Sequence, residues 1–255
     1  MNKNGILSFL DGEERILISR VMDLSRRCEK TGTVVYTPFL NPRQLNLVRE
    51  HCRGDFHIKV NGGWNDAERC MIAFCPYEDD DVVFPFTAIK ITTKNGKVFS
   101  HRDYLGALLS LGIKREKTGD IIINEGYAVI FCDSAVAEFV LFNLHNIASA
   151  NVTCEVFDAG ESFSFERKYE CIDTSVASLR LDCVVAAATG SNREESALLI
   201  NRGLVSLNYD IAKSVSVHVK SGDVISVRGY GKMKLETDGG TTRKGRIKIC
   251  VKHFV

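Results

Sequence analysis

Several signatures are missing from this 255-residue chain, and each absence narrows what it can be. No apolar run approaches the ~20 residues a membrane helix needs, so no membrane partner is expected. The opening Met1-Asn2-Lys3-Asn4-Gly5 lacks the apolar core and small-residue cleavage site of a secretory signal, and a cytoplasmic location is the expectation. There is no phosphate-cradling P-loop, no nucleophile elbow, no internal repeat and no low-complexity segment. His101-Arg102-Asp103 has the letters of a kinase catalytic loop. Neither a glycine-rich loop, an Asp-Phe-Gly nor an adenine-site lysine accompanies it, so the match reads as chance. No cofactor is implied and no catalytic residue stands out.

No C-x-x-C occurs either. Nine cysteines stand at 28, 52, 70, 75, 132, 154, 171, 183 and 250, an odd number at irregular spacing. Most lie in apolar runs, as Cys132 does in Ile130-Phe131-Cys132. Reduced thiols fit this pattern better than a disulfide frame. His51, Cys52, His57, Cys70 and Cys75 are close in sequence, but Cys70-x4-Cys75 only borders the two-to-four-residue spacing of a zinc knuckle. Core thiols and turn histidines are the preferred reading, with no metal.

What is present is an uneven charge. Residues 174–255 hold 13 Lys+Arg against 7 Asp+Glu, a net of +6, while residues 1–173 hold 20 against 25, a net of −5. A near-neutral chain thus carries a basic end on an acidic body. Phosphate contacts dominate nucleic-acid affinity, so a basic module is the footprint of an RNA partner. A solvated basic surface with no partner is the alternative.

The order of elements suggests three parts. In residues 1–77, Asp11 with Glu14 reads as an N-cap for a helix over 11–30 whose apolar face is Ile16, Leu17, Val21, Leu24 and Cys28, stopped by Gly32. A strand at Val34-Val35-Tyr36 follows. Asn41-Pro42 opens a second helix, and strands at 56–60 and 70–75 flank an Asn61-Gly62-Gly63 turn, giving a small α/β unit. The acidic run Glu78-Asp79-Asp80-Asp81 reads as a solvated boundary loop. From 82 to 160 the pattern is strand-helix-strand-strand-helix-strand, the ferredoxin-like order also used by the RRM. Its third strand, Tyr127 to Cys132, carries Tyr127 but has Val129 and Cys132 where base-stacking aromatics are expected, so a structural strand is preferred. The loop from Gly112 to Asp120 crowds Lys114, Arg115 and Lys117 between glycines. It is either a phosphate contact or a solvated connection. Residues 160–175 read as an ordered linker.

In the last part, Leu179, Leu181, Val184, Val185 and Ala188 recur at helical spacing up to Gly190. Ser191 with Glu194 reads as a capping box for a second helix that stops at Gly203. Val205 and Leu207 alternate as a strand, Ser221-Gly222-Asp223 turns, and 224–228 alternates again. Two short helices with arginines at their starts, then strands joined by tight turns, resemble the S4 RNA-binding domain, an αL-type module, over 174–255. Arg180-Leu181-Asp182 resembles part of the Gly-Arg-Leu-Asp motif of pseudouridine synthases, but Leu179 precedes it and Cys183-Val184-Val185 follows, so Asp182 reads as a helix-face residue.

Taken with Thr37-Pro38-Phe39-Leu40, Gly62-Gly63-Trp64, Ala67-Glu68-Arg69, His101 to Leu108, Leu111 to Asp120 and Val227 to Lys232, the whole chain resembles the YlmH family of bacterial S4-domain proteins. The resemblance implies an α+β protein with an N-terminal α/β unit, a central RRM-like domain and a C-terminal S4 domain. It implies no catalysis, a monomer, and binding of structured RNA, ribosomal RNA or tRNA, on the large ribosomal subunit in rescue of stalled complexes. Here Ser191-Asn192-Arg193 replaces the commoner Ser-Arg opening, with the cation one place along. The expected RNA contacts are Arg180, Asn192, Arg193 and Arg202, with Lys213, Lys220, Arg228 and Lys232 at the margin and Lys114, Arg115 and Lys117 in the central domain. An S4-guided RNA-modifying enzyme and an acidic protein-docking scaffold are the alternatives.

Overall fold

A computed structural model describes residues 12–94, 96–158 and 169–254. The expected Asp11 cap and the 160–168 part of the linker lie outside the described residues. The chain forms two compact units, Met1–Phe165 and Glu166–Val255. Among the described residues no helix is long and apolar enough to cross a membrane.

Among the described residues, the first element of the first unit is helix α1 (Gly12–Thr31), which ends where Gly32 takes φ +62. Its buried residues are Ile18, Val21, Ser25 and Cys28, a three-and-four spacing that makes one stripe. Ile16, expected on that face, is 56 % exposed, and Ile18 takes its place. Strand β1 (Val35–Tyr36) leads to α2 (Pro42–His51). Asn41 caps α2 as expected: its side chain accepts from the Gln44 N–H at 2.9 Å, and Gln44 reciprocates at 2.9 Å. Strands β2 (His57–Asn61) and β3 (Met71–Cys75) complete an antiparallel sheet of order β1-β3-β2. The helices pack on one face of it through Ile18, Val21, Leu45, Val48, Ile72 and Phe74.

The second sheet follows in the same unit. Its elements are β4 (Phe86–Thr93), α3 (His101–Ser110), β5 (Thr118–Ile123), β6 (Tyr127–Asp133), α4 (Ser134–Asn143), β7 (Asn146–Ile147) and β8 (Ala150–Val156). The antiparallel order is β5-β6-β4-β8-β7, so the first and third long strands are central, as in a split βαβ fold. Asp103 of the kinase-like triplet is a capping residue. It accepts from the Ser100 backbone N–H at 3.1 Å and hydroxyl at 2.7 Å. Those bonds hold its carboxyl below the usual range.

Strand β6 explains why its stacking pattern is incomplete. Ala128, Ile130 and Cys132 face α3 and α4, packing with Tyr104, Leu108 and Val140. Val129 and Phe131 face the other way, onto Met71 of the first sheet and Phe39 of the segment that follows β1, with Trp64 and Tyr127 at the edge. Both faces are covered, so the strand is an unbroken apolar run rather than an alternating one. The joint is polar at its rim. Asp120 accepts from Trp64 Nε1 at 3.0 Å, the Glu68 N–H at 2.8 Å and the Arg69 N–H at 3.0 Å. Arg69 donates to the carbonyls of Thr118, Phe39 and Arg115 at 2.8, 3.1 and 3.0 Å.

The second unit is a six-stranded antiparallel sheet, β11-β10-β12-β13-β14-β9, with two helices on one face. The elements are β9 (Tyr169–Val176), α5 (Leu181–Thr189), α6 (Arg193–Asn201), β10 (Val205–Leu207), β11 (Asp210–Ile211), β12 (Val224–Val227), β13 (Gly231–Glu236) and β14 (Ile247–Phe254). Residues 169–175, expected to link domains, are most of β9, paired along its length with β14. Alternation in Cys171-Ile172-Asp173-Thr174-Ser175 is too weakly apolar to announce a strand; its long partner supplies the pairing.

Two glycines give opposite stability tests. Gly63 has φ +95, and an added Cβ would collide with the Phe131 ring. Gly106 sits exposed in α3 with open space around it. Gly63→Ala should destabilise by about 1–3 kcal/mol through overpacking and strain. Gly106→Ala should stabilise by about 0.5–1 kcal/mol through helix propensity. Urea unfolding of both variants checks the pair.

Candidate nucleic-acid interface

The starts of α5 and α6 come together around one carboxylate. Arg180 occupies the N-cap of α5 in an extended conformation and makes no side-chain cap bond. Its Nε and Nη2 instead grip Asp182 in a two-pronged pair, each at 3.1 Å. Gly190, at φ 70, ends α5. The expected Ser191–Glu194 box is shifted by one residue. The Ser191 hydroxyl lies 2.8 Å from that of Thr189, so Asn192 takes the cap. Its Oδ1 accepts from the Glu195 N–H at 2.9 Å, and Glu195 accepts from the Asn192 N–H at 3.3 Å. Arg193 thereby becomes the first residue of α6, and its Nη2 donates to Asp182 at 2.8 Å.

Asp182 is buried, with a side chain 5 % exposed, against 35 % for Arg180 and 61 % for Arg193. It also accepts from the Cys183 N–H at 2.9 Å, and the buried Ser196 hydroxyl donates to its carbonyl at 2.9 Å. Expected as a helix-face residue, Asp182 instead ties the two helices together. Burial opposes its charge, but the hydrogen bonds from Arg180 and Arg193 prevail and hold the carboxyl well below the usual range. The same bonds raise both guanidinium pKa values. The trio carries a net +1 and presents two fixed, planar donors at the surface.

The other expected contacts are more dispersed. Arg202, Lys213, Lys220 and Arg228 are exposed, on the α6 end and the connections around β12. Lys232, on β13, is half-buried with its Nζ 4.8 Å from the Tyr209 ring centre and 4.7 Å from that of Phe254. In the first unit Lys114 is exposed. The open loop expected there is a short 3₁₀ turn, Arg115–Lys117, running straight into β5. Arg115 donates to Thr118 O, Thr118 Oγ1 and Gly119 O at 2.9, 2.6 and 3.2 Å, and Lys117 pairs with Asp133 at 2.6 Å. Both cations brace their own unit. Cys52 and Cys70 are pushed up to about 11, first by burial, and stay protonated. Among the described residues no group of three His, Cys, Asp or Glu could hold a metal.

Two family models match the first unit. One, described as "YlmH, N-terminal", covers residues 13–78, and one described as "Putative RNA-binding domain in YlmH" covers residues 78–161. The Ribosome-associated protein quality control protein P2 of Bacillus subtilis (strain 168) is 31 % identical over 242 residues, spanning 93 % of this chain and 94 % of the relative. The chain belongs to the YlmH family. A solved structure, the cell division protein ylmH from Streptococcus pneumoniae, has a like fold at TM-score 0.50 and 20 % identity, over 63 % of this chain and 100 % of that one. The YlmH segments quoted from the sequence gain a structural reason. Trp64, Glu68 and Arg69 meet Asp120 at the joint between the two sheets. Sequence reasoning missed both this joint and the role of Asp182. Arg-x-Asp at the start of α5, with Arg193 eleven residues on, was the available signal for the second.

Asp182→Asn should cost about 1–3 kcal/mol at pH 7, the range for losing hydrogen bonds to charged groups. The folded pKa is depressed below the unfolded value of about 3.9. The stabilisation is therefore present above that value and lost as pH falls below it toward the folded pKa. Denaturant melts of both proteins should differ at pH 7 and converge below pH ~4.

Proposed function

We propose that this protein binds structured RNA on the large ribosomal subunit without catalysing a reaction, through an S4-type helix pair in its second unit. The observation that carries the reading is the pair Arg180 and Arg193, held at two helix starts by one buried carboxylate. Fixed guanidiniums beside helix N-termini suit phosphate oxygens, since the first N–H groups of a helix also point outward. Asn192, Arg202, Lys213, Lys220, Arg228 and Lys232 extend this contact, and the net +6 of residues 174–255 draws the RNA in. The relative from B. subtilis is named for ribosome-associated quality control, which supports a role on stalled complexes that still hold tRNA. The protein acts as a monomer.

The central domain, RRM-like in strand order, offers RNA its edges rather than its sheet face, because Val129 and Phe131 lie under Phe39 and Met71. Lys114 is its exposed loop contact. Arg115 and Lys117 support that loop from inside.

Affinity of the full-length protein for an RNA hairpin should fall steeply between low and moderate salt, because each neutralised phosphate releases counterions. Arg193→Glu should weaken binding by about 1–3 kcal/mol, similarly across hairpin sequences, since the contact is to backbone. Anisotropy titrations at several salt concentrations check both. Flat salt dependence, or an unchanged Kd for a folded variant, contradicts the reading.

A further inference from the structure

All nine cysteines lie among the described residues. Six are buried, Cys154 and Cys250 are half-buried, and Cys171 alone is exposed. Cys171 stands on β9, the edge strand of its sheet, which is paired with β14. The register sets Cys171 opposite Lys252 and Asp173 opposite Cys250. Residues two apart on a strand share a face, so Cys171 and Cys250 are diagonal neighbours on one face of the sheet. That face is turned away from α5 and α6, because the alternate residues Ile249 and Val251 pack in the core with those helices. The two thiols are in hydrogen-bonding contact.

The surroundings make the two sulfurs unequal. Cys250 has a carboxylate on either side, since Asp173 on β9 and Glu236 on β13 are its register partners. Burial first, then hydrogen bonds to Cys171 and Asp173, push the Cys250 thiol up, so it keeps its proton. Lys252, opposite Cys171, is tied to Glu236 at 2.7 Å. An open groove of about 980 Å³ is lined by Asp173, Lys234, Glu236, Lys248 and Cys250. A small solute can therefore reach Cys250 as well as the exposed Cys171. Thiols elsewhere are held inside the fold: Cys28 donates to the Phe74 carbonyl and Cys70 to that of Ala67.

An accessible thiol beside a second thiol is the arrangement of a reversible oxidation site. The exposed Cys171 sulfur attacks one oxygen of hydrogen peroxide. An S–O bond forms, the O–O bond breaks, and water leaves with the thiol proton, which gives a sulfenic acid. The Cys250 sulfur then attacks the Cys171 sulfur. The S–S bond forms, the S–O bond breaks, and the Cys250 proton leaves with the hydroxyl as a second water. Two thiols are oxidised by two electrons, and one peroxide is reduced to two waters. Among the described residues β9 has one partner strand, so a covalent bond to β14 limits the fraying of this edge.

We propose that Cys171 and Cys250 are a peroxide-sensitive thiol pair whose reversible disulfide fastens β9 to β14. A disulfide at the surface stays open to reduction by small thiols. The site stands apart from the helix-start arginines and does not depend on the RNA reading.

The test uses the full-length protein, hydrogen peroxide and a thiol count taken in denaturant. Mild peroxide on the folded wild type should lower the count from nine to seven and remove about 2 Da, two hydrogens, from the intact mass. Peptide mapping without reductant should join the peptides holding Cys171 and Cys250, and dithiothreitol should restore all nine thiols. In Cys250→Ser the same dose should stop at a Cys171 sulfenic acid, a gain of about 16 Da that dimedone captures. Cys171→Ser should keep its eight thiols. Amide exchange across residues 169–176 should slow about tenfold or more in the oxidised wild type. No thiols lost, a bond between any other two cysteines or between two chains, or Cys171 driven to sulfinic acid with Cys250 untouched overturns the pair. Unchanged exchange across β9 in the disulfide form overturns the fastening.

Discussion

The buried carboxylate of Asp182 is the constraint on which the helix pair of the second unit depends. A carboxylate removed from water is unfavourable unless its lone pairs are filled. Here they are filled by two guanidiniums from two different helices and by the Cys183 N–H. The solution fixes the approach of α5 to α6, with Ser196 adding a bond from below. It also fixes where the two arginines stand. One carboxylate thus sets both the packing of the helix pair and the position of the charges proposed to meet phosphate, at the cost of one of their two positive charges.

The first unit shows a different economy. Its two sheets share a core of Phe39, Met71, Val129 and Phe131, and the family's signature residues close the rim of that core through Asp120 and Arg69. Burial there lowers the Arg69 pKa to about 10, with Arg115 adding to the effect, yet three backbone carbonyls still hold the guanidinium. A face that could stack bases in an isolated domain of this strand order is covered in this one.

Much of the fold was legible in the sequence because local signals agreed with the tertiary outcome. Asn41-Pro42 capped α2, Gly32, Gly190 and Gly203 took left-handed conformations at helix ends, and the strand-helix-strand-strand-helix-strand order of the central domain held. Failures came where long-range contacts decided. Ile18 rather than Ile16 was buried, the Ser191 cap moved to Asn192, and β9 formed only because β14 lies beside it. The candidate site was half legible. Arginines at helix starts could be read, but their shared carboxylate could not, since Asp182 and Arg193 are eleven residues apart and only folding joins them.

The central claim is that the second unit makes the RNA contact through its helix starts. Ultraviolet crosslinking of the full-length protein bound to large ribosomal subunits, with crosslinked peptides identified by mass spectrometry, tests it most directly. The account predicts RNA-linked peptides that include residues 180–202. Crosslinks confined to peptides within residues 12–158 would contradict it.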